Sequence, residues 1–253
     1  MAMTRMIDLN ADLGEGCATD VDIMPYISSC NIACGGHTGD RESIAEAMTL
    51  AKLSNVRIGA HPSYPDRENF GRKPIEISDY DLETSLRKQL HLIKNVAADM
   101  GVPIVHVKPH GALYNEAANS EKLSWNIVNI VREVLPHAAI MGLPDCKLEQ
   151  VAKQHKRTYI TEGFADRRYD DAGKLVSRAN PDAVINDNVE RCGQALALAQ
   201  GAPLQTLNGN FISMKVDSIC LHGDSKGAVQ SAQSINRALT SAHFTVQAHI
   251  HGA

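Results

Sequence analysis

The chain alternates short apolar strands with polar loops and helices, about seven times over. Such alternation implies parallel strands joined by helical crossovers. No linker, low-complexity segment or sequence repeat divides the 253 residues, so one (β/α) domain over 1–253 is expected. Polar residues recur directly after the strands: Asp12, His37, His61, His110, Glu162 to Asp166, and His222 to Asp224. A (β/α) barrel builds its site at that C-terminal face. An open doubly wound sheet also binds ligands there, but concentrates them at a switch point. Six polar strand ends spread along the chain favour the barrel.

Two stretches carry most of this pattern. In 104–110, Ile104, Val105 and Val107 are β-branched, and His106, Lys108 and His110 alternate with Val107 and Pro109. If the strand runs that far, period two puts the three ionisable groups on one face. Burying them without partners is costly, so a polar pocket at the strand end is expected. Pro109 and Gly111 end the ladder in a turn. In 6–11, Ile7, Leu9 and Ala11 share one face, and Asp8, Asn10 and Asp12 the other. For both stretches the alternative is an edge strand with a solvated polar face.

Asp40 is a good N-cap for a helix beginning near Ser43 and running to residue 53. The preceding Gly-rich loop could bind an anion through its backbone N–H groups. The phosphate-loop pattern Gly-x-x-x-x-Gly-Lys-Ser/Thr occurs nowhere. Further helices are expected over 78–100, 120–135, 186–200 and 228–242, with a hairpin about Asn208-Gly209. The lone Trp125 is expected to pack inside.

A formal charge of −4 with no basic block argues against nucleic acid as a partner. No apolar run approaches membrane-span length, and 1–8 lack a signal-peptide core. Six cysteines without a Cys-x-x-Cys pair are expected to be free thiols in a cytoplasmic protein. Cys30 and Cys34 are expected as small buried residues rather than metal ligands.

Six motifs point further. They are Asp8-Leu9-Asn10-Ala11-Asp12-Leu13-Gly14-Glu15, Asn31-Ile32-Ala33-Cys34-Gly35, Gly59-Ala60-His61-Pro62, the stretch 106–115, Phe164-Ala165-Asp166-Arg167, and 220–224. On these the chain resembles the LamB/YcsF family, in that family's order and over nearly its whole length. The resemblance implies a distorted seven-stranded (β/α) TIM-like barrel, related to the sugar-deacetylase and glycoside-hydrolase superfamily. It also implies ATP-coupled cleavage of 5-oxo-L-proline to L-glutamate by a 5-oxoprolinase, in which this chain works beside two partners, subunits B and C. Two features depart from the family pattern. An aromatic-containing insert after the first Gly-Glu is missing, and the usual Gly-Phe-His-Ala-Gly-Asp is Gly35-Gly36-His37-Thr38-Gly39-Asp40. The pocket wall thereby loses an aromatic.

Opening a lactam needs stabilisation of the carbonyl oxygen, a base for water and an acid for the departing nitrogen. Asp12 is the first candidate base and His110 the candidate acid or oxyanion donor. Lys108, with Arg167 or Arg168, would meet negative charge on a carboxylate or phosphoryl group. Asn10, Glu15, His37, Asp40, His61, Asp66, Glu162, Asp166, His222 and Asp224 complete the candidate substrate or phosphate contacts. A second reading is a divalent-metal hydrolase, with Asp12, His37 and His61 as ligands. A third is a substrate-binding subunit whose partners bind ATP and perform its chemistry. The number of copies that assemble is left open.

Overall fold

A computed structural model describes residues 5–223, 225 and 227–248. Seven parallel strands close into a barrel: β1 (Arg5–Leu13), β2 (Ser29–Ala33), β3 (Arg57–His61), β4 (Ile104–Val107), β5 (Ala139–Gly142), β6 (Tyr159–Phe164) and β9 (Ser218–His222). Closure comes from β9, which pairs with β6 on one side and with Asp8–Asp12 of β1 on the other. Between β6 and β9 lies the hairpin of β7 (Leu204–Gln205) and β8 (Phe211–Ile212), formed about Asn208-Gly209 as expected. A short β10 (Phe244–Val246) pairs with the first residues of β1.

The helices cover the outside: α1 (Asp20–Ile23), α2 (Arg41–Leu53), α3 (Asp79–Met100), α4 (Gly111–Ala117), α5 (Glu121–Val134), α6 (Lys147–Gln154), α7 (Asn188–Gln200) and α8 (Ala228–Ser241). Their apolar stripes meet the outward face of the strands. Ile44, Ala47, Met48 and Ala51 of α2, and Leu82, Leu86, Leu90, Ile93 and Ala97 of α3, are buried with Leu9, Ala11 and Leu13 of β1 in one core. Each fully buried Leu or Ile stabilises by about 1.5–3 kcal/mol. Trp125 departs from expectation: it falls off the α5 stripe of Ile127, Ile130, Val131 and Val134, and is 51% exposed. None of the helices is long and apolar enough to cross a membrane, among the described residues. No disulfide joins the six cysteines among the described residues.

The inward face of β1 is polar, because alternation sends Asp8, Asn10 and Asp12 into the barrel. Asp8 accepts hydrogen bonds from Ser28 (2.6 Å), Ser29 (2.7 Å) and Ser218. Asn10 donates to Ser218 (2.7 Å) and Glu162 (3.0 Å). A barrel interior this polar is tolerated because its groups are partnered. One layer up, the His106 ring fills the space that a side chain at Gly59 would occupy. A Cβ there would lie 2.1 Å from His106 Nε2.

Candidate active site

Strand β4 stops at Val107, short of the expected end, yet its alternation persists: His106, Lys108 and His110 are all buried. Lys108 Nζ lies 2.9 Å from Asp12 Oδ1, 2.9 Å from Glu162 Oε1 and 3.1 Å from Cys220 Sγ. Burial opposes its charge, but Asp12 and Glu162 overcome that and hold its pKa well above the usual lysine value. Burial likewise opposes ionisation of Asp12, and His61, Lys108 and His222 outweigh it, so Asp12 is a carboxylate. Lys108 therefore reaches the cavity with its charge already matched. It holds Asp12 and Glu162 together.

The histidine tautomers follow from their backbone partners. Carbonyl oxygens only accept, so His61 Nδ1 carries a proton for the Lys108 carbonyl (2.8 Å), and His110 Nε2 carries one for the Phe70 carbonyl (2.9 Å). The remaining nitrogens, His61 Nε2 and His110 Nδ1, face each other at 2.9 Å, with Asp12 Oδ2 3.3 Å from His61 Nε2. Two lone pairs cannot share that gap. A proton shared by the pair satisfies it. Burial and the neighbouring His61 and His37 push the His110 pKa well down, which leaves its Nδ1 as an acceptor in this contact.

Asp12 is aimed from behind. Burial first, and then the Lys108 charge, lower the His106 pKa to about 3, so its ring is neutral. His106 Nε2 donates to Asn31 Oδ1 (2.6 Å), which turns the Asn31 amide so that Nδ2 donates to Asn10 Oδ1 (2.8 Å) and Asp12 Oδ1 (2.8 Å). With Lys108 also on Oδ1, Oδ2 is left for His61. Because the folded His106 pKa lies below the free value of about 6.5, its neutral ring stabilises the fold above that pH. The contribution is lost as pH falls from 6.5 towards about 3. Urea midpoints should therefore decline between pH 7 and 5, and His106→Leu should flatten that decline. An unchanged slope in His106→Leu would assign the acid sensitivity elsewhere.

Above this floor, Glu15 Oε1 lies 3.0 Å from His37 Nε2 and 3.6 Å from His110 Nδ1, and the His37 and His110 rings stack at 3.7 Å. Phe70 packs edge-on against His37 at 5.1 Å and supplies an aromatic to that wall. On the opposite side Asp166 accepts from His222 Nδ1 (2.9 Å) and backbone N–H (3.0 Å), and His222 Nε2 points to Asp12 Oδ2 at 3.9 Å. Burial opposes ionisation of Asp166, but the contacts from His222 outweigh it and the carboxyl pKa is lowered. Asp12, Glu15, His61, Lys108, His110 and His222 open into one cavity of about 600 Å³, walled also by Phe164, Arg72, Arg167 and Arg178.

Several sequence candidates lie elsewhere. Asp40 caps α2, accepting from Ser43 N–H (2.9 Å) in a reciprocal capping box, so its carboxylate is committed to the helix end. Asp66 accepts from Asn69 N–H (3.1 Å), shaping the turn that presents the Phe70 carbonyl to His110. Arg168 pairs with Glu190 at 3.0 Å, away from the cavity. Asn10 and Glu162 support the floor from beneath. Asp224 lies outside the described residues. As metal ligands, Asp12 and His61 converge with His110, whereas His37 groups with Glu15 and His110. Asn31 and His106 were absent from the candidates although strand parity points both inward. Arg72 and Arg178 sit in loops, where no periodicity marks them.

This architecture, a closed parallel barrel with polar residues at its strand ends, is that of the TIM-like (β/α) barrels. The catalytic domain of a peptidoglycan N-acetylglucosamine deacetylase from Eubacterium rectale shares the fold at TM-score 0.53 and 13% identity, covering 99% of this chain and 90% of that one. The chain belongs to the LamB/YcsF family, whose model matches residues 7–252. It is 44% identical to the A subunit of the 5-oxoprolinase of Histophilus somni, over 93% of this chain and 95% of that protein. Identity to the corresponding 5-oxoprolinase polypeptide of Neisseria meningitidis serogroup C is 41%, over 96% and 100%. A crystal structure of a lactam utilization protein from Thermus thermophilus superposes at TM-score 0.88 with 32% identity, covering 96% of this chain and all of that one.

Proposed function

We propose that this chain is the ring-opening component of an ATP-dependent 5-oxoprolinase, hydrolysing 5-oxo-L-proline to L-glutamate together with partner subunits B and C. The observation that carries this is the 2.9 Å approach of His61 Nε2 to His110 Nδ1 beside the Asp12 carboxylate, which a shared proton would satisfy. Water adds to the lactam carbonyl carbon, the ring C–N bond breaks, and the water's protons end on the new amine and in solvent. One histidine of the pair takes a proton from water while the other returns one to the leaving nitrogen. Asp12 acts less as the final base than as the fixed charge that stabilises the protonated pair, because its own pKa is held low. In this reading the ATP step falls to the partners. The six free thiols fit a reducing cytoplasm.

The test is glutamate formation from 5-oxoproline and ATP, with this chain alone, with B and C alone, and with all three. Glutamate only in the full mixture is expected. Equal glutamate from B and C without this chain would remove it from the ring-opening step.

A second reading has a specific observation behind it. A divalent cation could stand where the shared proton does, held by Asp12 Oδ2, His61 Nε2 and His110 Nδ1. The residues fit such an ion: each histidine donates its outer N–H to a backbone carbonyl, as metal-bound histidines do. When bound, it would polarise the carbonyl and acidify water. Elemental analysis of protein purified without a His-tag separates the two. Near-stoichiometric metal favours the cation; less than about a tenth of an equivalent, with no chelator sensitivity, leaves the proton.

A further inference from the structure

Arg167, Arg178 and Lys73 bring positive charge to the cavity wall, and none of the three has an acid within ion-pairing distance among the described residues. Arg167 is only 5% exposed. Its Nη2 donates to the Val176 carbonyl (2.6 Å) and its Nε approaches the Ala183 carbonyl (3.4 Å). These neutral partners fix the guanidinium plane and leave Nη1 without a partner among the described residues. Arg178 and Lys73 line the same cavity, and neither has a hydrogen bond or ion pair among the described residues. Burial, together with the like charge of Arg178, pushes the Arg167 pKa down to about 10.

Nearby acids are already engaged. Asp12 and Glu162 hold Lys108. Glu15 lies on His37 and His110, Asp166 on His222, and Glu116 on the Tyr64 hydroxyl. Exposed Arg178 and Lys73 alone would be ordinary solvated side chains. A nearly buried arginine anchored by carbonyls and crowded by a second guanidinium is not ordinary. Desolvated charge without a counter-ion is unfavourable, and a planar guanidinium is suited to two oxygens at once.

We infer that Arg167, Arg178 and Lys73 form an oxyanion subsite in the cavity wall, which takes a carboxylate or phosphoryl group of the substrate. The inference rests on the ring-opening reading and deepens it. The floor at Asp12, His61 and His110 handles the amide, and the wall handles the charge attached to the ring. Arg167 anchors the subsite through its backbone bonds, while Arg178 and Lys73 complete it. Specificity for a charged lactam over a bare one then resides in Arg167, at the end of one motif, and in Lys73 and Arg178 outside the motifs.

Isothermal titration of the full chain tests this with three probes: 5-oxo-L-proline, 2-pyrrolidinone (the same ring without the carboxylate) and inorganic phosphate. The variants are Arg178→Ala and Arg178→Ala with Lys73→Ala. Neither side chain has a partner to lose among the described residues, and thermal melts would verify folding. Loss of one charge-assisted contact predicts a drop in affinity of about tenfold for the single variant and more for the double. A drop for 5-oxoproline with no change for 2-pyrrolidinone identifies the carboxylate as the occupant. A drop for phosphate, with 5-oxoproline held within about twofold, identifies a phosphoryl group. Affinities for both anions within about twofold of wild type in the double variant would overturn the subsite. So would wild-type binding of both anions weaker than about 10 mM. Failure of the ring-opening reading would appear separately, as unchanged glutamate production when this chain is left out of the mixture.

Discussion

Asp12→Asn should lower kcat of the assembled 5-oxoprolinase by about a thousandfold or more while the chain still folds. The substitution keeps the shape of the side chain and an oxygen that can accept from Asn31 and Lys108. What it removes is the negative charge 3.3 Å from His61 Nε2. Without that charge the shared proton on the His61–His110 pair is less stable, and the pair lacks the cationic form needed to protonate the leaving nitrogen. Lys108 keeps Glu162 as a counter-ion at 2.9 Å, so the loss in stability should be much smaller than the loss in rate. His110→Gln should act in the same direction, because it replaces the nitrogen that faces His61. Steady-state glutamate production measures both. A fall of less than about tenfold in Asp12→Asn would take the carboxylate out of the chemistry and leave it a structural role.

The reasons for these outcomes are partly legible in the sequence. Parity along β1 and β4 places Asp12, Lys108 and His110 on inward faces, because a strand's two-residue period is set by backbone geometry alone. It holds for Lys108 and His110 even though the ladder ends at Val107. Parity also aims Asn31 and His106 inward, but residue type does not distinguish a positioning group from a reacting one. The barrel itself follows from the recurrence of polar strand ends. Loop residues have no such rule. Arg167 and Arg168 are neighbours in sequence, yet one lines the cavity and the other turns out to Glu190. Asp40 and Asp66 are acids beside the site in sequence, but hydrogen bonds from Ser43 and Asn69 commit them to local backbone. The two carboxylate partners of Lys108 escape the sequence for another reason. A lysine between two buried carboxylates is a product of three strands meeting, which no single stretch of sequence records.

That meeting sets the largest effect on stability. Lys108→Met should destabilise the chain by about 3–5 kcal/mol, because it leaves Asp12 and Glu162 buried without their shared cation. They are 6% and 0% exposed, so water cannot take its place. Methionine matches the length of the lysine stem, which keeps the cavity term small. The pH dependence gives the sign. With Lys108 present, Asp12 is held below its free pKa, and its contribution is present above about pH 4 and lost as the pH falls further. Without Lys108, only His61 and His222 oppose the burial of Asp12, so its pKa rises relative to wild type. Ionised Asp12 then costs more than in wild type, and the deficit should shrink as the pH falls and the carboxyl takes up a proton. Adding Glu162→Gln to Lys108→Met should recover part of the deficit by removing one of the two charges, with a coupling of about 1–3 kcal/mol in the double-mutant cycle. Urea unfolding at neutral and at acidic pH measures all four proteins. A deficit below about 1 kcal/mol, or one that grows on acidification, would mean that the two carboxylates do not depend on Lys108 for their charge.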